Sequence, residues 1–315
     1  MKGKSISVAV VGAGLMGTGI AQVFARAGHS VVITDASSDA LDLVTSRVER
    51  NLLEEGVEPE RVLCNISRES QLAAAVAGGD IVFEAAPERL ALKQDLFVEI
   101  ASAAPRHAVL ASNTSVIPIT QIGEKLEHQA RSRLVGTHWW NPAHLIPLVE
   151  VVRTVHTSDA VFEQTLSWLE EAGKRPVRVH RDVTGFIGNR LQWALIREAL
   201  GLVEDGVCDA ETIDSVVKNG FGPRLSVLGP MEQADMLGLG LARDVARVMY
   251  PELRCDKIPP RRLEELIDQG HVGMKAGRGF MAWTEEEAES VRRRLAMHLI
   301  TTTRPSAQAV KLQPQ

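Results

Sequence analysis

One tyrosine, seven phenylalanines and five tryptophans are all the aromatic residues in a chain of 315. That is too little to build the stacking platform on which single-stranded nucleic acid is bound. Positive charge is not in excess either. Thirty-five Lys and Arg face 40 Asp and Glu, for a formal net charge of −5 with the two signs interspersed, so there is no basic patch for a polyanion. No apolar stretch approaches the roughly 20 residues of a bilayer-spanning helix. Lys2 and Lys4 precede an apolar run in the manner of a signal peptide, but that run is cut by glycines and flows into a loop. Cys64, Cys208 and Cys255 are odd in number, far apart and without C-x-x-C spacing, which speaks against both a disulfide framework and a zinc site. Buried or idle thiols are expected instead. These absences speak against metal, nucleic acid and membrane partners and agree with a cytoplasmic protein. Its length exceeds what one core usually serves, so two domains are expected.

The N-terminus is more specific. Residues 6–11 are an apolar run suited to a buried parallel strand. Gly12-Ala-Gly14-Leu15-Met16-Gly17 follows at once, and then a helical pattern (Ile20, Val23, Phe24, Ala27) closing at Gly28. A second strand, Ser30–Thr34, ends in Asp35. Glycines here allow a tight turn, close approach of a pyrophosphate and close helix–strand packing, with the phosphates on a helix N-terminus. A G-x-G-x-x-G alone is a weak signal. Strand, helix, second strand and a terminal acid about 20 residues on, placed to bind the ribose hydroxyls, make it a dinucleotide site. Ala36-Ser37-Ser38 after Asp35 offers no arginine for a 2′-phosphate, so the expected cofactor is NAD rather than NADP.

The βα alternation continues with a strand at 80–85, a helix at 90–103, a strand at 108–111 and a helix at 119–126. Two polar segments follow strands on the rim where open α/β sheets bind ligands: Glu84 to Glu88, with Lys93 beyond, and Ser112-Asn113-Thr114-Ser115. Each also reads as an ordinary helix start or turn. Next come His138 and, twelve residues later, Glu150. A short strand at 133–135, a turn at Asn141-Pro142 and a return strand, Leu148–Val152, would bring imidazole and carboxylate together. Such a carboxylate fixes the tautomer and frees the other ring nitrogen to take a proton. The same pair is often only a structural hydrogen bond. A helix at 160–172 and a strand at 176–180 lead into a wholly helical remainder. It opens with a long helix at 187–206, whose apolar positions 187, 191, 194, 195, 199 and 202 form one stripe, with Asn189 in its first turn. The expected organisation is a nucleotide-binding domain at 1–184, a helical domain at 185–300 and a loose polar tail at 301–315.

By these residues the chain resembles the 3-hydroxyacyl-CoA dehydrogenase family. The resemblance runs over about residues 5–283. It is carried by Val11-Gly-Ala-Gly-Leu-Met-Gly17, Glu84-Ala-Ala-Pro-Glu-Arg-Leu-Ala-Leu-Lys93, Ala111-Ser-Asn-Thr-Ser115, His138-Trp-Trp-Asn-Pro142, Leu148-Val-Glu150, Gly185-Phe-Ile-Gly-Asn-Arg190 and Lys275-Ala-Gly-Arg-Gly-Phe280. It implies an α/β fold with a Rossmann-type domain followed by an all-helical domain that pairs two subunits. The implied activity is NAD-dependent oxidation of a 3-hydroxyacyl compound to the 3-oxo product, a reaction of fatty-acid metabolism. His138 would be the base and Glu150 its partner, with Ser115 and Asn189 at the reacting oxygen or the neighbouring carbonyl. Glu88, Lys93, Asn141 and Lys275 would lie near the nicotinamide half of the cofactor, with Ser115 beside them.

Two departures bear on the substrate. Acyl-CoA members carry lysines after the second strand, whereas residues 36–60 here hold seven acids against Arg47 and Arg50, a field of the wrong sign for a CoA tail. Trp139-Trp140 stands where the family usually has smaller aromatics, as in branches that oxidise free acids. The two rings are expected to line a substrate pocket, where they could cage a cation or stack on a ring, although a Trp at a strand end is more often core packing. A free 3-hydroxy acid or another small carboxylate is therefore the alternative substrate. The competing class, a non-catalytic structural protein that keeps the NAD site, is opposed by the presence of Ser115, His138, Glu150 and Asn189 together.

Overall fold

The computed structural model describes residues 5–303. They divide into two compact units, one reaching to Asn189 and including the residues from Met297 on, the other comprising Arg190–Ala296. The first is built on eight strands: β1 Ser7–Val11, β2 Ser30–Thr34, β3 Ile66–Arg68, β4 Ile81–Glu84, β5 Val109–Ser112, β6 Leu134–Trp139, β7 Leu148–Val152 and β8 Arg175–Val179. They form one sheet in the order β3-β2-β1-β4-β5-β6-β7-β8. Neighbours run parallel except β6 and β7.

The central strands are apolar at every position because both faces are covered. Val8 and Val10 join Phe24, Ile33 and Phe83 in one core layer, while the alternating Ala9 and Val11 join Phe97, Leu110 and Ile119 in the other. The longer covering helices are α1 Leu15–Arg26, α2 Ser38–Glu54, α3 Leu90–Ala103 and α4 Asp159–Glu171. Ser37 caps α2 and Ser158 caps α4, each accepting from a backbone N–H three residues on. Strand order reverses between β1 and β4, which opens a crevice at the carboxyl ends of these strands.

The strand expected at 133–135 continues to Trp139. Its apolar run stops at Val135, but Gly136, Thr137 and His138 keep pairing with β7 and stay buried. The pattern marks where hydrophobicity ends, whereas the ladder decides where the strand ends. The helix expected at 119–126 is a single turn, Ile119–Ile122, followed by a 3-10 turn at Gly123–Lys125. The short strand β3 has no clear alternation and was not anticipated.

The second unit is helical, apart from bridges around Arg278. Helix α5, Gly188–Glu204, leads into it, and α6 Ala210–Asn219, α7 Pro230–Leu237, α8 Leu239–Met249, α9 Arg261–Asp268 and α10 Glu285–Thr303 follow. Its buried residues are Gly201, Leu266 and Ala288. The apolar stripe on α5 is instead largely open, with Leu191 and Leu195 exposed. Thr301–Thr303, expected to begin a polar tail, continue α10 because its backbone ladder carries through; residues 304–315 lie outside the described ones.

Candidate active site

The phosphate loop is fixed by lack of room. Gly12 turns the chain at φ 111°, and a Cβ there would stand 2.6 Å from the Ala85 carbonyl oxygen. A Cβ on Gly17 would stand 1.8 Å from the Gly12 carbonyl oxygen, so α1 sits directly on the loop. Gly14, the residue before α1, faces open space. That space is a groove of about 610 Å³ lined by Gly12, Gly14, Asp35, Ala36 and Pro87 among others. Asp35 closes one end, its Oδ2 accepting from the Ala13 amide at 2.6 Å and its Oδ1 from the Ser37 amide at 2.8 Å. A bare helix N-terminus, glycine walls and a carboxylate at the far end fit a dinucleotide. Arg47, which the sequence marks only as one of two bases among the acids of 36–60, folds back from the middle of α2 to donate to the Ala13 carbonyl at 2.8 Å.

On the same rim, the turns after β4 and β5 are braced by a buried polar cluster. The Lys93 ammonium donates to Glu84 at 2.6 Å and to the Ala86 carbonyl at 3.0 Å, and Ser112 donates to the other Glu84 oxygen at 2.6 Å. Lys93 and Glu84 are buried, so the pair satisfies itself inside the protein. Glu88 lies further out. It accepts from the Thr114 hydroxyl at 2.6 Å and from the amides of Ser115 and Val116, with Lys93 3.5 Å away. Burial works to raise its pKa, but the Thr114 hydrogen bond, the two amides and Lys93 together hold it below the ordinary carboxylate value.

His138 and Glu150 are direct cross-strand partners in the β6–β7 ladder. Imidazole Nδ1 lies 2.7 Å from Glu150 Oε2, and both side chains are buried. The other oxygen, Oε1, accepts from the Ile187 and Gly188 amides at 2.9 and 3.0 Å. Burial alone would raise the Glu150 pKa, and the His138 hydrogen bond with the two amides brings it below the usual value instead. The carboxylate is thereby anchored from one side and holds the imidazole on the other. Aromatic rings flank the imidazole, Trp140 with centroids 5.2 Å apart and Phe186 at 5.7 Å. Phe186 is buried with φ 50°, a strained backbone that the surrounding fold must enforce. Phe186 belongs to the Gly185–Arg190 segment of the resemblance, but its place beside the imidazole was not legible there.

A cavity of about 340 Å³ brings together Leu15, Met16, Asn113, Ser115, His138, Trp139, Trp140, Asn141 and Asn189. Asn189 donates to the Ser115 carbonyl at 2.8 Å, and Asn113 accepts from the Trp139 amide at 3.0 Å. The two tryptophans part company. Strand side chains alternate, so Trp140 shares the His138 side while the Trp139 indole turns into the core against Phe24 and Phe83. Trp139 thus borders the cavity while its indole is core and 2% exposed, and Trp140 is the ring beside the imidazole. Lys275 lies in the second unit, in a 3-10 turn at Met274–Ala276. With Nδ1 committed to Glu150, the arrangement leaves imidazole Nε2 to accept a proton, beside hydroxyl and amide groups able to face a developing oxyanion.

Comparison with known proteins decides the family. Residues 7–183 match the NAD-binding domain of 3-hydroxyacyl-CoA dehydrogenase, and 185–283 match its C-terminal domain. The chain belongs to the 3-hydroxyacyl-CoA dehydrogenase family. Members similar to it include the 5-formyl-3-hydroxy-2-methylpyridine 4-carboxylate 5-dehydrogenase of Mesorhizobium japonicum, 33% identical over 95% of this chain and 97% of that one. The probable 3-hydroxybutyryl-CoA dehydrogenase of Bacillus subtilis is 34% identical over 89% and 98%. Among solved structures, a 5-formyl-3-hydroxy-2-methylpyridine 4-carboxylic acid 5-dehydrogenase, described as an NAD+-dependent dismutase, has a TM-score of 0.87 at 31% identity over 95% and 97%. The (S)-3-hydroxybutyryl-CoA dehydrogenase of Ralstonia eutropha has 0.73 at 32% over 90% and 100%. As a member of this family, the protein is an NAD-dependent oxidoreductase acting on a CH–OH group, with the Rossmann-type and helical domains of the family.

Proposed function

We propose that this dehydrogenase oxidises the CH–OH group of a small free carboxylic acid rather than of a CoA thioester. His138 Nε2 takes the hydroxyl proton and the carbon gives up hydride to the nicotinamide, so that R–CHOH–R′ and NAD+ become R–CO–R′, NADH and a proton. Bound NAD supplies the hydride acceptor. Glu150 orients the imidazole and offsets the charge it gains. Ser115 and Asn189 contribute donors to the reacting oxygen. Glu88, Lys93, Asn141 and Lys275 are assigned to the cofactor side, Lys93 acting through Glu88 and the Ala86 turn that it braces.

The observation that carries the substrate assignment is the charge of α2 and the turn after it. Asp39, Glu49, Glu54, Glu58 and Glu60 are exposed there, whereas Asp42 pairs with Arg68 at 3.1 Å. Of the two arginines, Arg47 is committed to the Ala13 carbonyl. Phosphates laid along this surface would meet repulsion of about 1 kcal/mol per close exposed pair. The pyridine carboxylate activity of the Mesorhizobium relative supports the same reading. The acyl-CoA reading draws on the Bacillus relative. NADH absorbance decides between them: kcat/KM for a free hydroxy acid should exceed that for 3-hydroxybutyryl-CoA, and efficient turnover of the thioester alone would refute the free-acid assignment.

We further propose a homodimer formed through the second unit, where Leu191, Val216, Met231, Leu241, Val245 and Val248 are exposed on its helices. Light scattering at the mass of one chain would exclude it. No helix among the described residues is long and apolar enough to cross a membrane.

A further inference from the structure

Two residues of the site are matched in size, and the match points to a kind of substrate. Trp140 lies two residues beyond the catalytic histidine on the same side of the chain, and its indole meets the imidazole at 5.2 Å with an interplanar angle of 52°. It contributes to the wall of the cavity that also holds His138, Ser115 and Asn189. The indole occupies the place where a side chain at position 188 would begin. A Cβ on Gly188 would stand 2.3 Å from Trp140 Cζ2 and 3.1 Å from Cη2, and 3.2 Å from Glu150 Oε2.

Gly188 opens α5, and its φ is outside the left-handed region, so no backbone requirement calls for glycine there. Glycine in a helix is a cost in stability. What it gives here is space: the ring of Trp140 seats against bare backbone. The same backbone donates its amide to Glu150 Oε1. A smaller aromatic at 140 and a branched residue at 188 would fill the same volume without presenting the broad indole. Leu15 and Met16 add apolar surface to this cavity, while Asn113, Ser115, Asn141 and Asn189 supply its polar groups.

A flat ring wall with polar groups around it favours a flat ligand. An aliphatic chain gains only contact area from the indole, whereas an aromatic ring adds offset stacking. We propose that Trp140, seated on Gly188, is a specificity-determining residue that selects substrates whose CH–OH carbon is attached directly to a planar aromatic ring carrying the carboxylate. The inference rests on the free-acid reading and narrows it. The oxidation itself is unchanged: a ring-bound CH2OH becomes CHO as NAD+ becomes NADH and a proton is released, or a hydrated ring aldehyde becomes a carboxylic acid by the same loss of hydride and proton and then ionises by releasing a second proton to water.

The test uses the full-length protein and two probe acids, a hydroxymethyl-pyridinecarboxylate and free 3-hydroxybutyrate, with 3-hydroxybutyryl-CoA as a third. The wild type should turn over the pyridine probe with the highest kcat/KM. Trp140→Leu should lower the ratio of pyridine to 3-hydroxybutyrate turnover by about three- to tenfold, the range of one stacking contact. NAD affinity, read by fluorescence, should stay within twofold, which also shows that the variant folds. Should Trp140→Leu fail to fold, Trp140→Met, also without an aromatic face, is read by the same ratio. Gly188→Val should depress turnover of both free acids, because the added side chain displaces the indole and crowds Glu150. The double variant Trp140→Leu/Gly188→Val should recover 3-hydroxybutyrate turnover without the aromatic preference. A ratio unmoved by Trp140→Leu, or wild-type turnover of 3-hydroxybutyrate without the pyridine probe, overturns the aromatic assignment and leaves the free-acid reading standing. Turnover of the thioester alone overturns both.

Discussion

Replacing Glu150 by glutamine keeps the shape of the side chain and changes only what its oxygens can do. In the native site Oε2 receives the imidazole Nδ1 proton at 2.7 Å while Oε1 holds the Ile187 and Gly188 amides. A glutamine has one acceptor oxygen for these two jobs. Its best arrangement leaves that oxygen with the two amides and turns its NH2 toward His138 Nδ1. The ring then carries its proton on Nε2, the wrong nitrogen for a base. When the imidazole nonetheless gains charge, no counter-charge meets it. For charge centres about 4 Å apart at an effective dielectric of about 20, the lost attraction is about 4 kcal/mol. At about 1.4 kcal/mol per decade that is a loss of roughly 10³ in kcat, inside the roughly 10²–10⁴ range of general-base catalysis. NAD binding should change little, because Glu150 touches the imidazole and backbone and does not line the nucleotide groove. The pH dependence of stability gives a second readout. The folded Glu150 carboxyl has a pKa below its ordinary 4.5. Its contribution is therefore fully present above about pH 4.5 and is lost as pH falls through the folded value, and Glu150→Gln should remove that component of acid unfolding. Stopped-flow and steady-state NADH formation, with thermal melts between pH 3 and 7, make both measurements. A kcat within threefold of wild type would refute the assignment of His138 and Glu150 as a working pair.

Asp35→Ala should weaken NAD and narrow its advantage over NADP, since both Asp35 oxygens organise the loop and its charge repels a 2′-phosphate; equal NADP use by the unmutated enzyme would contradict this. Trp139→Ala should lower stability by about 3–5 kcal/mol in denaturant titrations, with KM changed less than threefold, because its ring is core between Phe24 and Phe83; a large KM effect at unchanged stability would put the ring back in the pocket. Lys174 is buried with its ammonium on the Ala143 and Ile146 carbonyls and 5.2 Å from the Trp139 ring, and burial pulls its pKa down to about 8 from 10.5. The unfolded chain therefore holds more protons between these values, so this residue's contribution improves as pH rises from about 8 to 10.5. The melting temperature of wild type minus that of Lys174→Met should accordingly grow with pH across that window, and a flat difference would refute the shift.

Much of the site was legible because it is local. The loop from Gly12 to Gly17 is dictated by covalent geometry and close approach, which a spacing of glycines records. His138 and Glu150 sit on two strands joined by a short connection, so their spacing already placed them side by side. Side-chain direction was not legible. Trp139 and Trp140 are neighbours in sequence, yet a strand sends them to opposite faces, and only the register of β6 against β7 says which face holds the histidine. Nor did the sequence show that folding buries Lys93 against Glu84 and leaves Glu88 further out.

The sequence by itself determined the parallel sheet, the nucleotide loop, the acid at the end of β2 and the histidine–glutamate pairing. Each follows from periodicity, from chirality at glycine or from a short separation along the chain. Only the tertiary structure decided the contacts between distant segments: Arg47 folded onto the phosphate loop, Phe186 strained against the imidazole, Gly188 hollowed out for Trp140, and the Ile187 and Gly188 amides that anchor Glu150. Their partners lie roughly 30 to 50 residues away, and no local preference encodes a meeting that depends on how the sheet twists and where a helix begins.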